Sequence, residues 1–437
     1  MSIRHLFFAA SLGLVLPAGA QQSAAPPPSS DLITATTPTP TTLTFSLAQT
    51  LQAARNNLDV SLARRALASA QGDIAVADHA PAPVVSTKAA SIDLQNGIGG
   101  GNLIRQKRID KAIGVDWTWE RGNKRELRTL AAQRNAKAAQ ADIDETLIQQ
   151  QQIAANAYFD LLAAQERINQ VSAIARSAAQ LSATAARRVQ AGDLAAQDAA
   201  RTEIEAQRAS TDLLTAQLDR QRAAMALAQL TGITGPGTLV AQPDWPASMA
   251  ADAALNDSVI YPSIEMRPDV RAAMQRLEAA RAALDVASAQ KKADITLGTS
   301  YDHFPGTSTR LLEVRLQMPL YGVLGGYNFQ GEIARAQAQS DQAQDLLDKI
   351  RRAASADLQR LQQDKQGAAA RALSYELTIL PRANKVAEMA ELAYNKGAMS
   401  LTELIDARRT LRSILIEALA ARTEHAKASQ AWLLRQP

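Results

Sequence analysis

Residues 59–86, DVSLARRALASAQGDIAVADHAPAPVVS, resemble residues 269–296, DVRAAMQRLEAARAALDVASAQKKADIT, which lie 210 residues later. Both stretches open with an Asp-Val pair and continue as an Ala-rich helical pattern. The correspondence extends along the chain, so that Gly192 in the first copy matches Gly397 in the second. A repeat of this size predicts two similar halves of one body rather than two unrelated domains.

The composition favours long, closely packed helices. Of the 437 residues, 46% are hydrophobic but only 4% are aromatic, so Ala and Leu carry the apolar content. The net charge of +4 is nearly neutral for this length and gives no reason to expect a nucleic-acid partner. The chain has no Cys, which excludes disulfides, thiolate metal sites and a lipid on an N-terminal Cys.

The N-terminus has the pattern of a secretory signal peptide. Arg4 and His5 precede an apolar run, residues 6–16, and small residues lead up to Gln21. We therefore predict a signal peptide over residues 1–20. The Pro/Thr-rich stretch 21–42 is then an N-terminal tether.

Four stretches of about ten residues alternate between apolar and polar side chains. They are residues 84–93 and 109–119 in the first half, and 294–303 and 309–318 in the second. Their length and alternation are typical of transmembrane β-barrel strands, with Trp117, Trp119 and Tyr301 as an interfacial aromatic girdle. A soluble sheet with one buried face fits the alternation equally well.

A long helical hairpin follows each strand pair. The outgoing helices are predicted over about 123–191 and 328–396, each with an interruption near its middle, for example at Pro381. Apolar residues recur at seven-residue spacing, which indicates coiled-coil packing. Gly192 and Gly397 mark the turns, where Asp193 or Ser400 can cap the returning helix. Because Ala buries little area, such helices need neighbours, and an oligomer is implied.

The repeat divides the chain into three parts after the tether. Residues 43–232 form the first repeat, residues 233–266 a connecting segment rich in Gly and Pro, and residues 267–437 the second repeat. We predict a mainly α-helical protein with a membrane β-barrel, built from a duplicated strand–strand–long hairpin unit.

Several stretches in this order resemble the TolC family of outer-membrane efflux proteins, and in particular its cation-efflux subgroup associated with RND pumps. They are LAQTLQAARNN (47–57), WERGNKR (119–125), AYFDLLAAQER (157–167) and RPDVRAA (267–273). The similarity covers about residues 43–434. No single motif is highly specific for the family, but the order of the motifs along the chain is specific for it.

The resemblance implies a homotrimer in which each protomer gives four strands to a 12-stranded β-barrel in outer-membrane lipid. The helices would form a coiled-coil tunnel that extends into the periplasm. It also implies a tripartite efflux system with a periplasmic adaptor (a membrane fusion protein) and an inner-membrane RND pump. The chain departs from lipidated relatives because it lacks the N-terminal Cys, so insertion would depend on the barrel.

The same resemblance suggests two functional regions. The hairpin tips would dock the adaptor; they comprise Gly192, Asp193 and Leu194, and Gly397, Ala398, Met399, Ser400 and Leu401. Plain helix–turn–helix connections are the alternative. Glu388 and Glu391 resemble acidic residues that line the periplasmic aperture and would form carboxylate rings in a trimer. A solvated helix face is the alternative.

Nothing in the sequence indicates catalysis. The four His residues, His5, His79, His303 and His425, lack ligand spacing, and no G-x-S-x-G or nucleotide-binding motif is present. We therefore predict no enzyme activity, no cofactor and no protein-bound metal.

We expect a passive exit duct in the outer membrane for heavy-metal cations. Alternatives are a channel for multidrug efflux or type I protein secretion, and, from another class, a periplasmic adaptor or scaffold. An adaptor would have one hairpin flanked by small β domains.

Overall fold

The computed structural model describes residues 43–90, 110–232, 239–247, 249–253, 264–303, 310–321 and 326–436. The predicted signal peptide and tether lie outside these ranges, as do residues 91–93, 109 and 309 of the predicted strands. Within the described ranges, none of the helices combines the length and the hydropathy needed to cross a lipid bilayer.

The described chain contains nine α-helices and six strands. The helices are α1 Leu47–Ala54, α2 Leu58–Ala77, α3 Lys124–Gln190, α4 Ala196–Thr231, α5 Met249–Ala253, α6 Pro268–Ala289, α7 Gln330–Ser374, α8 Leu380–Asn395 and α9 Leu401–Arg435. The strands are β1 Leu43–Phe45, β2 Val84–Ala90, β3 Asp110–Trp119, β4 Leu239–Ala241, β5 Ile295–His303 and β6 Leu311–Gln317. The order helix, two strands and long hairpin therefore occurs twice.

The repeated Asp-Val pair has a packing role in both copies. Val60 and Val270 are both fully buried at the start of α2 and α6. Asp59 accepts a hydrogen bond from Gln150, and Asp269 pairs with the buried Arg267. The duplication thus conserves a helix start: an apolar residue that enters the core and a carboxylate in the first turn, where the helix dipole favours it.

From Ser46, a plausible N-cap, to Pro81 the sequence pattern predicts one helix that ends at about Ala80, but the structure has two helices there. Ser46 does cap α1, in a capping box with Gln49. However, α1 ends at Ala54, and Asn57 starts α2 by accepting a hydrogen bond from the backbone N–H of Asp59 at 3.0 Å. An Asn in extended conformation satisfies a first-turn donor, so it begins a new helix rather than continuing the old one.

Four strands form one antiparallel sheet in the order β2-β3-β5-β6. The pairing of β3 with β5 sets Trp119 opposite Ile295 and so joins the two repeats at the centre of the sheet. Strands β2 and β6 are the outer ones in this order. All four strands connect to the helices at the same end.

The two hairpins differ in the outgoing helix. α3 is one helix of 67 residues, about 100 Å long at 1.5 Å per residue. Its counterpart is broken into α7 and α8 by a π-helical turn, Tyr375–Ile379, just before Pro381. Proline has no N–H and its ring clashes with the carbonyl four residues earlier, so a wider turn relieves both problems. The interruption predicted near Pro381 is therefore present, whereas the one predicted for the middle of the first long helix is wrong, since α3 is continuous.

A core forms around the middle of α3. Tyr158 and Phe159 are fully buried, and the Tyr158 hydroxyl donates to the carbonyl of Gln242 at 2.6 Å. Burial raises the pKa of this Tyr158 phenol to about 12, so it stays protonated and keeps donating. Gln165 binds both the N–H and the C=O of Ala241. Part of the predicted connecting segment is thereby fixed against the helices.

Candidate functional site

The two hairpin tips close with the same backbone geometry. Gly192 has φ +81° and Gly397 has φ +75°, in the left-handed region that favours glycine. The N–H groups of Gly192 and Asp193 donate back to α3, to the carbonyls of Val189 and Arg188. The N–H groups after α8 donate in the same way, so both tips are Schellman turns.

The returning helices start differently at the two tips. Ser400 caps α9, and its side chain and that of Glu403 form a capping box. Hydrogen bonds from Ser400 hold the pKa of Glu403 below its ordinary value. At the first tip the N-cap is Ala195, without a side-chain hydrogen bond, so the cap predicted at Asp193 is wrong. The Schellman turn uses Asp193 itself, which places the helix start two residues later.

The tip of the second hairpin contacts the first hairpin through an apolar cluster. It consists of Ala390, Leu401, Leu404 and Ile405, with Leu181, Tyr394, Met399 and Ala407 packed around them. Leu181 belongs to α3, whereas Leu401 and Met399 belong to the predicted docking residues. These two side chains therefore stabilise the tip from within. Gly192, Asp193, Gly397, Ala398 and Ser400 are exposed.

Four arginines also connect the hairpins, and we call these contacts the inter-hairpin links. They are Arg188 with the Tyr394 hydroxyl, Arg201 with the Thr402 hydroxyl, Arg409 with Glu205, and Arg412 with Asp212. The hydrogen bond from Arg409 lowers the pKa of Glu205. Glu205 is therefore ionised at neutral pH, and its link is intact there.

The two predicted aperture carboxylates have different surroundings. Glu391 pairs with Arg408 of α9 at 2.8 Å. Glu388 lies one turn earlier on α8, is exposed, and has no ion-pair partner within the described residues. Since Arg408 offsets the charge of Glu391, Glu388 contributes more of the free negative charge on this part of α8.

A groove of about 400 Å³ lies between the two hairpins, next to the inter-hairpin links. Small side chains such as Ala178, Ala209 and Ala387 form part of its wall, and Glu391 and Arg408 lie at its edge. Alanine at these positions lets the helices approach while leaving space between them. This groove could not be located from the sequence, since it depends on which faces of the two hairpins meet.

The β2-β3-β5-β6 sheet has one apolar face that is exposed. Its exposed residues are Val85, Ile113, Val115, Trp117, Trp119, Leu297, Tyr301, Leu312, Val314 and Leu316. A water-soluble protein rarely leaves so continuous an apolar surface uncovered. Tyr301 lies near the far end of the sheet and the two Trp at the helix-side end, as in an aromatic girdle.

The opposite face of the sheet is polar and charged. Asp116, Gly298 and Arg315 are direct neighbours across three strands. The Arg315 guanidinium donates to Asp116 at 2.6 Å over Gly298, where a Cβ atom would collide with the Asp116 carboxylate. The glycine therefore permits an ion pair between the first and second repeats.

No protein-family model matches the chain. It is 26% identical over 377 residues to the cobalt-zinc-cadmium resistance protein CzcC of Cupriavidus metallidurans, with 84% of each chain covered. Its fold is similar to that of a membrane protein of Pseudomonas aeruginosa, with a TM-score of 0.72 and 16% identity over 90% of this chain and 93% of that one. It is also similar to the outer-membrane channel CmeC of Campylobacter jejuni, with a TM-score of 0.71 and 14% identity over 89% of this chain and 85% of that one. The chain therefore shares the fold of solved outer-membrane channels.

Sequence reasoning located the tips, Glu388 and Glu391, but it missed Arg408 and the inter-hairpin links. The excess of arginine near the tips, at positions such as Arg408, Arg409 and Arg412, was the available signal. The carboxylate partners of Arg409 and Arg412 are about 200 residues away in the chain, so pairing them required the fold. The partner of Arg408, Glu391, is 17 residues away on the preceding helix.

Proposed function

We propose that this protein is an outer-membrane channel of the TolC family, that it is the passive exit duct of a tripartite efflux system, and that metal cations are its substrates. The β2-β3-β5-β6 sheet is the observation that supports a duct. It has an uncovered apolar face, a charged opposite face and two outer strands, and it is attached to two long hairpins. This combination fits a pore wall with lipid on one side and water on the other.

The outer strands argue for a closed assembly. In hydrocarbon, backbone groups on an unpaired strand edge have no water to bind, which costs several kcal/mol per group. Strands β2 and β6 are such edges, and a neighbouring protomer can satisfy both. We propose a homotrimer, in which four strands from each protomer close a 12-stranded barrel and the hairpins form the periplasmic tunnel.

The proposed partners are a periplasmic adaptor and an inner-membrane RND pump. The exposed backbone of the two Schellman turns supports adaptor docking at Gly192 and Gly397, because similar turns offer the partner two similar surfaces. Glu388, with its uncompensated charge, supports an acidic ring at the periplasmic aperture, to which Glu391 contributes less.

The metal assignment draws on the cobalt-zinc-cadmium resistance protein as a relative. The junction Glu120–Arg125, which resembles the cation-efflux subgroup, supports the same substrate class. Groups of three or more His, Asp or Glu suited to a metal ion do not occur within the described ranges. A duct need not bind what it passes, so this neither favours nor opposes metal cations. Drugs are the second candidate, motivated by the amphipathic groove between the hairpins.

The test is deletion of the gene, followed by tolerance profiles for cobalt, zinc and cadmium salts and for a panel of apolar drugs. We expect sensitivity to the metals to rise and drug tolerance to stay unchanged, with metal tolerance restored by the wild-type gene. Unchanged metal tolerance with increased drug sensitivity would exclude the metal assignment and favour the drug channel. If neither profile changes, the proposed efflux role is wrong for both substrates.

A further inference from the structure

The helix-side end of the sheet carries three basic side chains without a carboxylate partner. Arg121 follows β3, and Lys291 and Lys292 precede β5. All three are exposed, and no salt bridge to any of them occurs within the described part of the chain. Other basic residues of this junction are paired: Lys124 with Asp294, Arg125 with Asp78, and Arg128 with Glu120.

These cations lie next to the end of the apolar face. Arg121 is two residues beyond Trp119, the last residue of β3, and its side chain reaches the end of β6. Its guanidinium is 3.8 Å from the sulfur of Met318, which is exposed just beyond β6. The stem of Lys292 passes beside Gly122, within 2.7 Å of the position that a Cβ atom would occupy there. Side chains from both repeats therefore meet at one point of the rim.

The order along this face is apolar residues, then tryptophan, then free cations. A lipid leaflet has the same order: acyl chains, the interface, then phosphate. We propose that Arg121, Lys291 and Lys292 form a binding site for the headgroup of an anionic phospholipid. This rests on the proposed placement of the sheet in lipid. Because the chain lacks Cys, the site would set the depth of the sheet in the membrane without an acyl anchor.

Two exposed tryptophans at this rim provide the readout. Trp117 and Trp119 are half-exposed beside Arg121, whereas Trp432 is buried and Trp245 is stacked on Phe159. The full chain in neutral detergent micelles is titrated with phosphatidylglycerol or phosphatidylcholine brominated near the carboxyl end of the acyl chains. We expect tryptophan quenching at lower concentrations of phosphatidylglycerol than of phosphatidylcholine. One surface cation contributes about fivefold in affinity for anionic lipid.

The variants separate charge from structure. Arg121→Gln should reduce the preference for phosphatidylglycerol about fivefold, and Arg121→Lys should retain most of it. The triple variant Arg121→Gln, Lys291→Gln and Lys292→Gln should abolish the preference. A control triple on exposed helical positions, Lys349→Gln, Arg352→Gln and Lys385→Gln, removes the same charge and should leave the preference unchanged.

Other outcomes overturn the inference or its premise. If Arg121→Gln and the triple variant keep the wild-type preference, these residues do not bind the headgroup. If millimolar inorganic phosphate removes the preference while sodium chloride of equal ionic strength does not, the site binds free phosphate and the lipid assignment is wrong. Equal quenching by both lipids would reject the proposed headgroup site but would leave the placement of the sheet in lipid intact. Absence of quenching by either lipid would instead reject the placement of the sheet in lipid.

Discussion

At the residue scale, the two tip glycines show how local signals specify a turn. A glycine just past a helix end is a sequence pattern with a direct backbone cause, and it located both tips correctly. The N-cap was predicted correctly at Ser400 but wrongly at Asp193. Which residue becomes the cap depends on how many residues the turn uses, and the sequence alone does not give that number.

Substitution of Gly397 tests the docking role of the tips. A Cβ atom at this position meets nothing within 4 Å, so Gly397→Asp fits, but φ +75° strains it by about 1 kcal/mol. We expect the trimer to form normally and crosslinking to the adaptor to fall. Gly397→Asn has similar strain without the charge and serves as the control. Normal crosslinking of the Asp variant would refute the tip assignment.

At the element scale, the inter-hairpin links join helices that are far apart in the sequence. Glu205 of α4 pairs with Arg409 of α9, and Arg188 of α3 contacts Tyr394 of α8. Helical periodicity predicted these helices and their turns. It did not predict the links, because each link requires the rotation of both helices about their axes.

Glu205 should contribute stability that depends on pH. Its pKa lies below the ordinary 4.5, so its stabilisation is present above pH 4.5 and is lost as pH falls through the lower pKa of the folded state. We expect Glu205→Gln to lower the free energy of unfolding by up to about 1 kcal/mol at pH 7. At pH 3 the loss should be smaller.

Thermal unfolding of the wild type and the variant at both pH values measures this difference. Glu203→Gln, at an exposed position two residues earlier on the same helix, is the matched control and should have little effect at either pH. An equal loss from Glu205→Gln at pH 7 and pH 3 would contradict an ionic role for this link.

At the scale of the whole molecule, the repeat was enough to predict the fold class, since it predicted two strand pairs and two long hairpins in order. The neighbours of each strand were harder to obtain. The contact of β3 with β5 joins residues about 180 positions apart, and alternation specifies a face but not a partner. Likewise, the sequence predicted the same role for Glu388 and Glu391. In the structure, the ion pair with Arg408 distinguishes Glu391 from Glu388.

The proposed acidic ring predicts an effect on ion selectivity. In planar bilayers, Glu388→Gln should lower the ratio of cation to anion permeability of the reconstituted channel, because it removes three uncompensated charges from a trimer. Glu278→Gln, which removes an exposed charge from α6, should leave the ratio unchanged. Reversal potentials in a salt gradient measure the ratio, and equal effects of the two variants would exclude a ring at Glu388.

The central β3–β5 pairing also constrains how the protein can fold during synthesis. A chain that has emerged only as far as the first repeat has β3 without its later partner, and so carries an open strand edge. Contacts between residues so distant in sequence form slowly. We therefore expect the sheet to be completed only after the second repeat has been synthesised. Until then, the open edge of β3 can pair with strands of other chains. Duplication produced two similar halves, but neither completes the four-stranded sheet by itself.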